Sequence, residues 1–172
     1  CLEPDPFLFQ RLRHGLTSLD RFGVIRGIQG ALADIPIDSH YDAILYIDVL
    51  EHIDDDGQEL ETASKHLKPK GHLIVLAPAH SWLFSPFDDR IGHLRRYTRS
   101  SLLAAVPPLM HPIRARYLDS AGLTASLANR FVSKRPVPKK ADILFWDRFL
   151  VPLSLQLDRL LGFRVGKSVL VV

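Results

Sequence analysis

Apolar and polar residues alternate along the chain in blocks that predict a succession of strands and helices. Residues 41–50 (YDAILYIDVL) are almost continuously apolar and β-branched, which is typical of a strand covered on both faces of a parallel sheet. Residues 72–77 (HLIVLA) have the same character. Between them, residues 54–56 supply acidic caps for a helix, and residues 69–71 (PKG) are expected to end it. Strand, helix and strand in this order predict a right-handed crossover unit of an α/β fold.

Weaker patterns extend this unit in both directions. Residues 7–19 have apolar side chains at helical spacing, and residues 24–32 are a candidate strand weakened by Arg26. Further along we expect a helix at 100–106, strands at 113–120 and 167–172, and an apolar helical stretch at 143–161 interrupted at Pro152. The predicted class is α/β, a doubly wound sheet that is mostly parallel and has an antiparallel last strand.

Composition fits a single globular domain over residues 1–172, with 47% hydrophobic and 24% charged residues. The net charge of +3 gives no basic field that would call for a nucleic acid. Cys1 is the sole cysteine, which excludes a disulfide framework and favours a reducing, cytoplasmic location. Two groups of basic residues are interpreted as solvated loops: Arg90, Arg95, Arg96 and Arg99, and Lys134, Arg135, Lys139 and Lys140.

Polar residues stand where two predicted strands end, and ligands of doubly wound sheets bind beyond the carboxyl ends of the strands. Asp48 interrupts an apolar strand, and Glu51 and His52 follow it. Because a buried carboxylate without partners is costly, Asp48 is expected to have a binding role. Glu3 stands where such a sheet places a ribose-binding acid, although a surface glutamate before Pro4 is the simpler interpretation of that residue alone.

Several segments together resemble the class I S-adenosylmethionine-dependent methyltransferases, in particular a branch that acts on small molecules. The pair YDAILYIDVLEHI and LKPKGHLIVLAPA carries the resemblance, and EPDP, ALADIP and FDDRIGHLRRYTRSSL extend it over nearly the whole chain. The resemblance implies a Rossmann-like fold and S-adenosyl-L-methionine as cofactor. The family's first strand and glycine-rich loop should lie about twenty residues before Glu3, and they are missing here. We therefore expect this chain alone to bind the cofactor weakly or not at all.

The resemblance also assigns residues to the cofactor. Glu3 would hold the ribose. The backbone of Ala31 and Leu32 would face the adenine, and because Ala31 stands where many relatives have an acid, Asp34 is a substitute for it. Ile47 and Asp48 would line the methionine end, with residues Leu50 to His52 nearby.

On the acceptor side, the candidate general bases are His52, His80 and His93, each of which could equally be a solvent-exposed loop residue. Candidate acceptor-binding residues are Trp82, Asp88, Arg95, Arg96 and Tyr97. The arginines suit a carboxylate or phosphate, and a purely structural loop is an equal alternative. No metal site is predicted. Residues 80–112 and 123–166 are interpreted as insertions on the acceptor side.

The apolar stretch from Phe145 to Leu161 is interpreted as a helix covering the sheet. A surface for a lipid-linked acceptor or a membrane is the alternative. The leading hypothesis is methyl transfer to a small-molecule acceptor. The alternative is a non-catalytic binding or scaffold domain that keeps the fold. The sequence identifies neither the acceptor nor the oligomeric state.

Overall fold

The computed structural model describes residues 1–19, 23–128 and 140–172. Lys134, Arg135 and Lys139, predicted to lie in a solvated loop, fall outside the described residues, as does part of the predicted insertion 123–166. The strands are β1 (Leu2–Glu3), β2 (Ile28–Gln29), β3 (Tyr41–Ile47), β4 (Leu67–Pro78), β5 (Ala115–Leu118) and β6 (Ser168–Val171). The α-helices are α1 (Pro6–Leu19), α2 (Asp56–Lys65), α3 (Pro86–Arg90), α4 (Arg99–Ala105), α5 (Ser120–Ala128), α6 (Lys140–Phe145) and α7 (Val151–Leu160).

The described strands form two sheets. β1 and β2 pair in parallel, and the other four strands have the order β3-β4-β6-β5. β3 and β4 are parallel, whereas β6 runs antiparallel to both of its neighbours. The fold is therefore Rossmann-like with an antiparallel last strand, as predicted. Among the described residues, no strand joins β3 to the two-stranded sheet.

The central crossover unit has the predicted order of strand, helix and strand. The expectation that its first strand is covered on both faces is wrong, because β3 lies at the edge of its sheet and is mostly exposed. Asp55 caps α2 by accepting a hydrogen bond from the Gln58 backbone N–H at 2.9 Å. The expectation that residues 69–71 end the helix is wrong, because these residues belong to β4. A register shift between Tyr41 and Ala43 absorbs them. A Cβ on Gly71 would lie 2.9 Å from the Lys68 carbonyl oxygen, so glycine permits this close approach.

Two other boundaries differ from the prediction. The strand expected at 24–32 is only Ile28–Gln29, because its partner β1 is itself two residues long and offers no longer ladder. The expected interruption at Pro152 is instead a π-helical segment, Trp146–Leu150, directly before α7. Pro152 is the second residue of α7, and the helical backbone continues from the π-helical segment into α7. Within the described residues, no helix is both long and apolar enough to cross a membrane.

A single hydrophobic core joins the elements on which the site depends. Leu50, Leu60 and Val75 are almost completely buried in it. Leu32 and Ile35, which follow β2, belong to the same core. The residues after β2 therefore pack close to the residues after β3.

Candidate active site at the carboxyl end of β3

The chain leaves the sheet sharply after β3. Asp48 has a positive φ of 50°, and its N–H donates to the Leu76 carbonyl oxygen at 2.9 Å. Desolvation by the surrounding protein raises the pKa of Asp48, while the charges of Lys167, His93 and His52 act in the opposite direction. Asp48 is thus close enough to both imidazoles and to Lys167 to interact with them electrostatically, although its side chain reaches solvent.

Glu51 lies in the 3₁₀ turn Leu50–His52 and is completely buried. Neither of its carboxylate oxygens accepts a hydrogen bond from the described residues. The His93 Nε2 atom lies 3.5 Å from Oε1. Burial raises the pKa of Glu51 to about 7. This buried, unsatisfied carboxylate is the most unusual electrostatic feature of the site.

Asp88, equally buried, is in the opposite situation. Its Oδ1 accepts from His93 Nδ1 and from Arg96 Nε at 2.9 Å each, and the Nη2 atom of Arg96 lies 2.7 Å from the same oxygen. Its Oδ2 accepts from the backbone N–H of Ser85 at 2.8 Å and from the hydroxyl of Ser85 at 2.7 Å. Burial opposes ionisation of Asp88, but the hydrogen bonds from Ser85 and Arg96 hold its pKa below the ordinary value.

The loop that carries His93 returns to the end of β3. The Leu94 N–H donates to the Glu51 carbonyl oxygen at 2.8 Å. His52 Nδ1 donates to the Gly92 carbonyl oxygen at 3.0 Å, and the rings of His52 and His93 meet edge to face at 4.8 Å. Gly92 has a φ of 82°, which glycine adopts without strain. The structure therefore brings together His52, His93 and Asp88, which the sequence could only nominate separately.

The residues predicted to contact adenosine form a second group. Glu3 ends β1, and its Oε1 accepts from the Asp5 N–H at 3.0 Å. Asp34 Oδ2 accepts from the Ala31 N–H at 2.8 Å, and Leu32 is buried in the core. The other predicted cofactor residues, Ile47, Asp48 and His52, lie at the end of β3. Among the described residues, the core that contains Leu32 and Leu50 connects the two groups.

The model of a methyltransferase-domain family matches residues 9–128. The chain belongs to this family. No curated protein is a match by sequence.

Solved methyltransferase structures have the same fold as this domain. A Galdieria sulphuraria protein assigned as a sarcosine dimethylglycine methyltransferase has 21% identity and a TM-score of 0.56, with 99% of this chain and 66% of that one covered. Coclaurine N-methyltransferase, bound to N-methylheliamine and SAH, has 12% identity and a TM-score of 0.58, with coverage of 99% and 57%. A Haloferax volcanii methyltransferase in complex with the Trm112 activator has 14% identity and a TM-score of 0.62, with coverage of 99% and 68%. The chain thus spans about two thirds or less of the first two neighbours.

The remaining predicted residues of the methyltransferase domain lie in two places. His80 Nε2 donates to the Gly166 carbonyl oxygen at 3.0 Å, and the His80 ring stacks on Tyr117 and contacts Trp82. Burial lowers the pKa of His80. These three rings form a cluster of their own, apart from the side chains that surround Glu51.

Arg95 and Tyr97 both bind the start of α2. Arg95 Nη1 lies 3.1 Å from Asp56, and Arg95 Nη2 donates to the Asp54 carbonyl oxygen at 2.7 Å. The hydroxyl of Tyr97, which is 2% exposed, donates to Asp56 at 2.7 Å. The roles of both residues toward an acceptor stay predictions.

One residue of the site was absent from the prediction, and another was named without a role. Glu51 was named with Asp48 and His52 as a polar residue at the end of the strand, but no function was assigned to it. Lys167, whose pKa burial lowers, interacts electrostatically with Asp48 from a distant part of the sequence. No local pattern marks that pairing.

Proposed function

We propose that this domain takes part in S-adenosylmethionine-dependent methyl transfer to a small-molecule acceptor in the cytoplasm. One observation carries the proposal: the residues that follow β2 and β3 pack into one core, and solvent-accessible carboxylates stand at both strand ends. A doubly wound fold binds its ligand at this edge. The cofactor supplies an electrophilic methyl group, so the protein's task is to position the reactants.

The residues present fit part of an adenosyl site. Glu3 is only partly buried and can accept hydrogen bonds from ribose hydroxyls. Backbone groups of Ala31 and Leu32, with Asp34 beside them, would face the adenine. Ile47 and Asp48 would face the methionine end. The glycine-rich loop of the family does not occur in these 172 residues. The described domain would therefore contact the cofactor only through the residues named above.

Three histidines are available to remove a proton from an acceptor. Burial lowers the pKa of both His80 and His93, which favours the neutral imidazole that accepts protons near pH 7. His52 is exposed beside Asp48. We propose that the acceptor lies near these side chains, with Trp82, Arg95 and Arg96 around it. The buried Asp88 and Tyr97 would act through their hydrogen bonds with Arg96 and Asp56.

Amide chemical shifts measured by NMR test this proposal, because they detect weak binding. S-adenosylhomocysteine added to millimolar concentration should shift the amides of Glu3, Ala31 and Asp48, and leave those of β5 unchanged. The substitution Glu3→Gln should reduce the shifts at β1 and β2 several-fold. Asp5→Asn, at an exposed acid two residues away, is the matched control.

The alternative of a non-catalytic scaffold predicts a different outcome. In that case millimolar S-adenosylhomocysteine would shift none of these amides, while the chain stays folded. Shifts spread evenly over the surface would also contradict the proposal, because they would indicate non-specific contact.

We further propose that the acceptor is lipid-linked, because the C-terminal helices expose their apolar side. In α7, the polar residues Ser154 and Asp158 point inward. The exposed apolar residues of this region are Ile143, Leu144, Phe145, Phe149, Val151, Leu153, Leu155, Leu160 and Leu161. A helix with such a surface can lie in the headgroup region of a bilayer.

Sedimentation with phosphatidylcholine–phosphatidylglycerol vesicles tests this surface. The wild-type chain should co-sediment, and the double variant Phe149→Glu/Leu153→Glu should lose most of that binding. Leu109→Glu, at an apolar residue that is 93% exposed elsewhere, is the control and should bind like wild type. Equal binding by all three chains, or no binding by wild type, would contradict the lipid proposal and leave the methyltransferase proposal unaffected.

A further inference from the structure

The strongest unexplained feature is the carboxylate of Glu51. A buried carboxylate that accepts no hydrogen bond is costly, and native proteins compensate such groups with a charge, a proton or a metal ion. Glu51 is fully buried, and its two oxygens have no hydrogen-bond partner among the described residues. The guanidinium of Arg96, a nearby cation, is committed to Asp88 and to the Ala79 carbonyl oxygen.

The imidazoles of His52 and His93 each use Nδ1 in a hydrogen bond, and each keeps Nε2 free to bind a ligand. His93 Nδ1 faces the carboxylate of Asp88, and His52 Nδ1 faces the carbonyl oxygen of Gly92. Because carbonyl and ionised carboxylate oxygens only accept, each Nδ1 carries its hydrogen. The Nε2 atom of each neutral ring then keeps a lone pair. A hydrogen bond from the far nitrogen to a carboxylate or carbonyl is the arrangement that orients metal-bound histidines in proteins.

The spacing of these groups also fits a shared ion. One ligand atom each from Glu51, His52 and His93 lies within 4.8 Å of the others. The Glu51 Oε1 and His93 Nε2 atoms are 3.5 Å apart. Two ligands of one tetrahedral zinc ion are separated by about 3.3 Å, given bond lengths of about 2.0–2.2 Å. The exposed side chain of His52 offers its ligand atom within the same 4.8 Å and would shift toward the other two to complete the set.

From these observations we infer that Glu51, His52 and His93 form a binding site for a divalent transition-metal ion. Two imidazole nitrogens and one carboxylate oxygen suit Zn²⁺, Co²⁺ or Mn²⁺, whereas Mg²⁺ and Ca²⁺ prefer oxygen ligands. Asp48 interacts electrostatically with both imidazoles. A bound ion would stand at the acceptor side of the sheet edge. The site is defined by these side chains and does not rest on the proposed methyl transfer.

Titration of the chelator-treated chain with Co²⁺ and Zn²⁺ tests this inference directly. One equivalent of Co²⁺ should produce visible d–d absorption bands, and one equivalent of Zn²⁺ should abolish them. Calorimetry should give one Zn²⁺ site in the micromolar range or tighter, at least a hundredfold tighter than Mg²⁺.

Variants separate this site from adventitious binding by other histidines. His52→Ala changes an exposed residue and should fold, yet weaken Zn²⁺ binding at least tenfold. Glu51→Gln should weaken it at least as much. His72→Ala, at an exposed position of β4, is the matched control and should bind like wild type.

The results that would overturn the inference are specific. Absence of Co²⁺ bands in the folded wild-type chain would do so. Equal Zn²⁺ affinity in wild type and His52→Ala would also do so, because the ion would then be bound elsewhere. If Glu51→Gln fails to fold, the His52→Ala result and the Co²⁺ spectrum of wild type still decide the question.

Discussion

Two buried polar clusters of the domain differ in how the fold treats their carboxylates. In the C-terminal cluster, Asp158 is 3% exposed, and its two oxygens accept from the backbone N–H groups of Asp119 and Ser120 at 2.9 Å each. In the cluster at the end of β3, Glu51 is buried just as deeply, and neither of its oxygens accepts a hydrogen bond from the described residues. Two equally buried carboxylates therefore differ in whether the fold supplies hydrogen-bond donors to them.

The difference indicates that Asp158 is buried to stabilise the fold, whereas Glu51 is buried as part of a site that binds another group. Asp158 supplies acceptors to the start of α5, where the first N–H groups of a helix have no partner within the helix. Its charge therefore stabilises the fold. The Glu51 side chain makes no hydrogen bond of this kind with another described residue, and burial raises its pKa to about 7 even though the charge of Arg96 acts in the opposite direction. Groups of this kind concentrate at sites that bind something else.

We expect the largest loss of stability when Asp88 is replaced. Asp88 belongs to the same cluster as Glu51 but, unlike Glu51, accepts several hydrogen bonds. Asp88→Ala removes the acceptor of Arg96, Ser85 and His93 and leaves a buried guanidinium unpaired. Breaking a buried ion pair from one side costs about 3–5 kcal/mol. Urea denaturation should show this decrease in the free energy of unfolding. Asp89→Ala, on the exposed side of α3, should change it by less than about 0.5 kcal/mol. A small loss for Asp88→Ala would mean that the network does not stabilise the fold.

The second prediction tests the C-terminal cluster. Asp158→Ala leaves the N–H groups of Asp119 and Ser120 without acceptors. Because each unsatisfied buried donor costs about 1–3 kcal/mol, we expect a loss of about 2–4 kcal/mol in urea denaturation. Gln156→Ala, on the exposed side of the same helix, should be close to neutral. If Asp158→Ala is also neutral, the contrast between the two clusters does not hold.

The sequence was sufficient for the elements whose pattern is set by local burial. The strand β3 and the cap of α2 by Asp55 follow from such patterns, and the structure confirms both elements. The position of β3 at the exposed edge of its sheet was not predictable in this way, because it depends on which strands pair with it. The limits of β2 and the bulge near Gly71 depend on partner strands, so no local pattern determined them. The inward position of Ser154 and Asp158 was likewise not predictable, because it follows from contacts with α5.

The candidate site shows the same division. An acid that interrupts an apolar strand identified the end of β3. The contact between Glu51 and His93 joins residues far apart in the chain, and the loop that returns His93 is fixed by tertiary bonds such as Leu94 N–H to the Glu51 carbonyl oxygen. Sequence spacing could nominate the histidines but could not show which of them meet a buried carboxylate.

The smallest effect, and the sharpest test of the comparison, is expected for Glu51→Gln in chelator-treated protein. The substitution removes a charge and breaks no hydrogen bond of the side chain with the described residues. Its sign depends on pH. The folded chain holds the Glu51 proton up to a pKa of about 7, whereas the reference value is 4.5. Between these values the folded state binds more protons than the unfolded state, so wild-type stability falls as pH rises through this window.

The variant lacks this titration, so its stability relative to wild type should increase between pH 5 and pH 8. From the two pKa values the increase is roughly 2 kcal/mol, with the variant equal to or more stable than wild type at pH 8. Urea denaturation at both pH values measures this change in relative stability. Glu61→Gln, at an exposed position of α2, is the matched control. A variant that is less stable by the same amount at both pH values would show that Glu51, like Asp158, has partners that serve the fold. The contrast between the two clusters would then disappear.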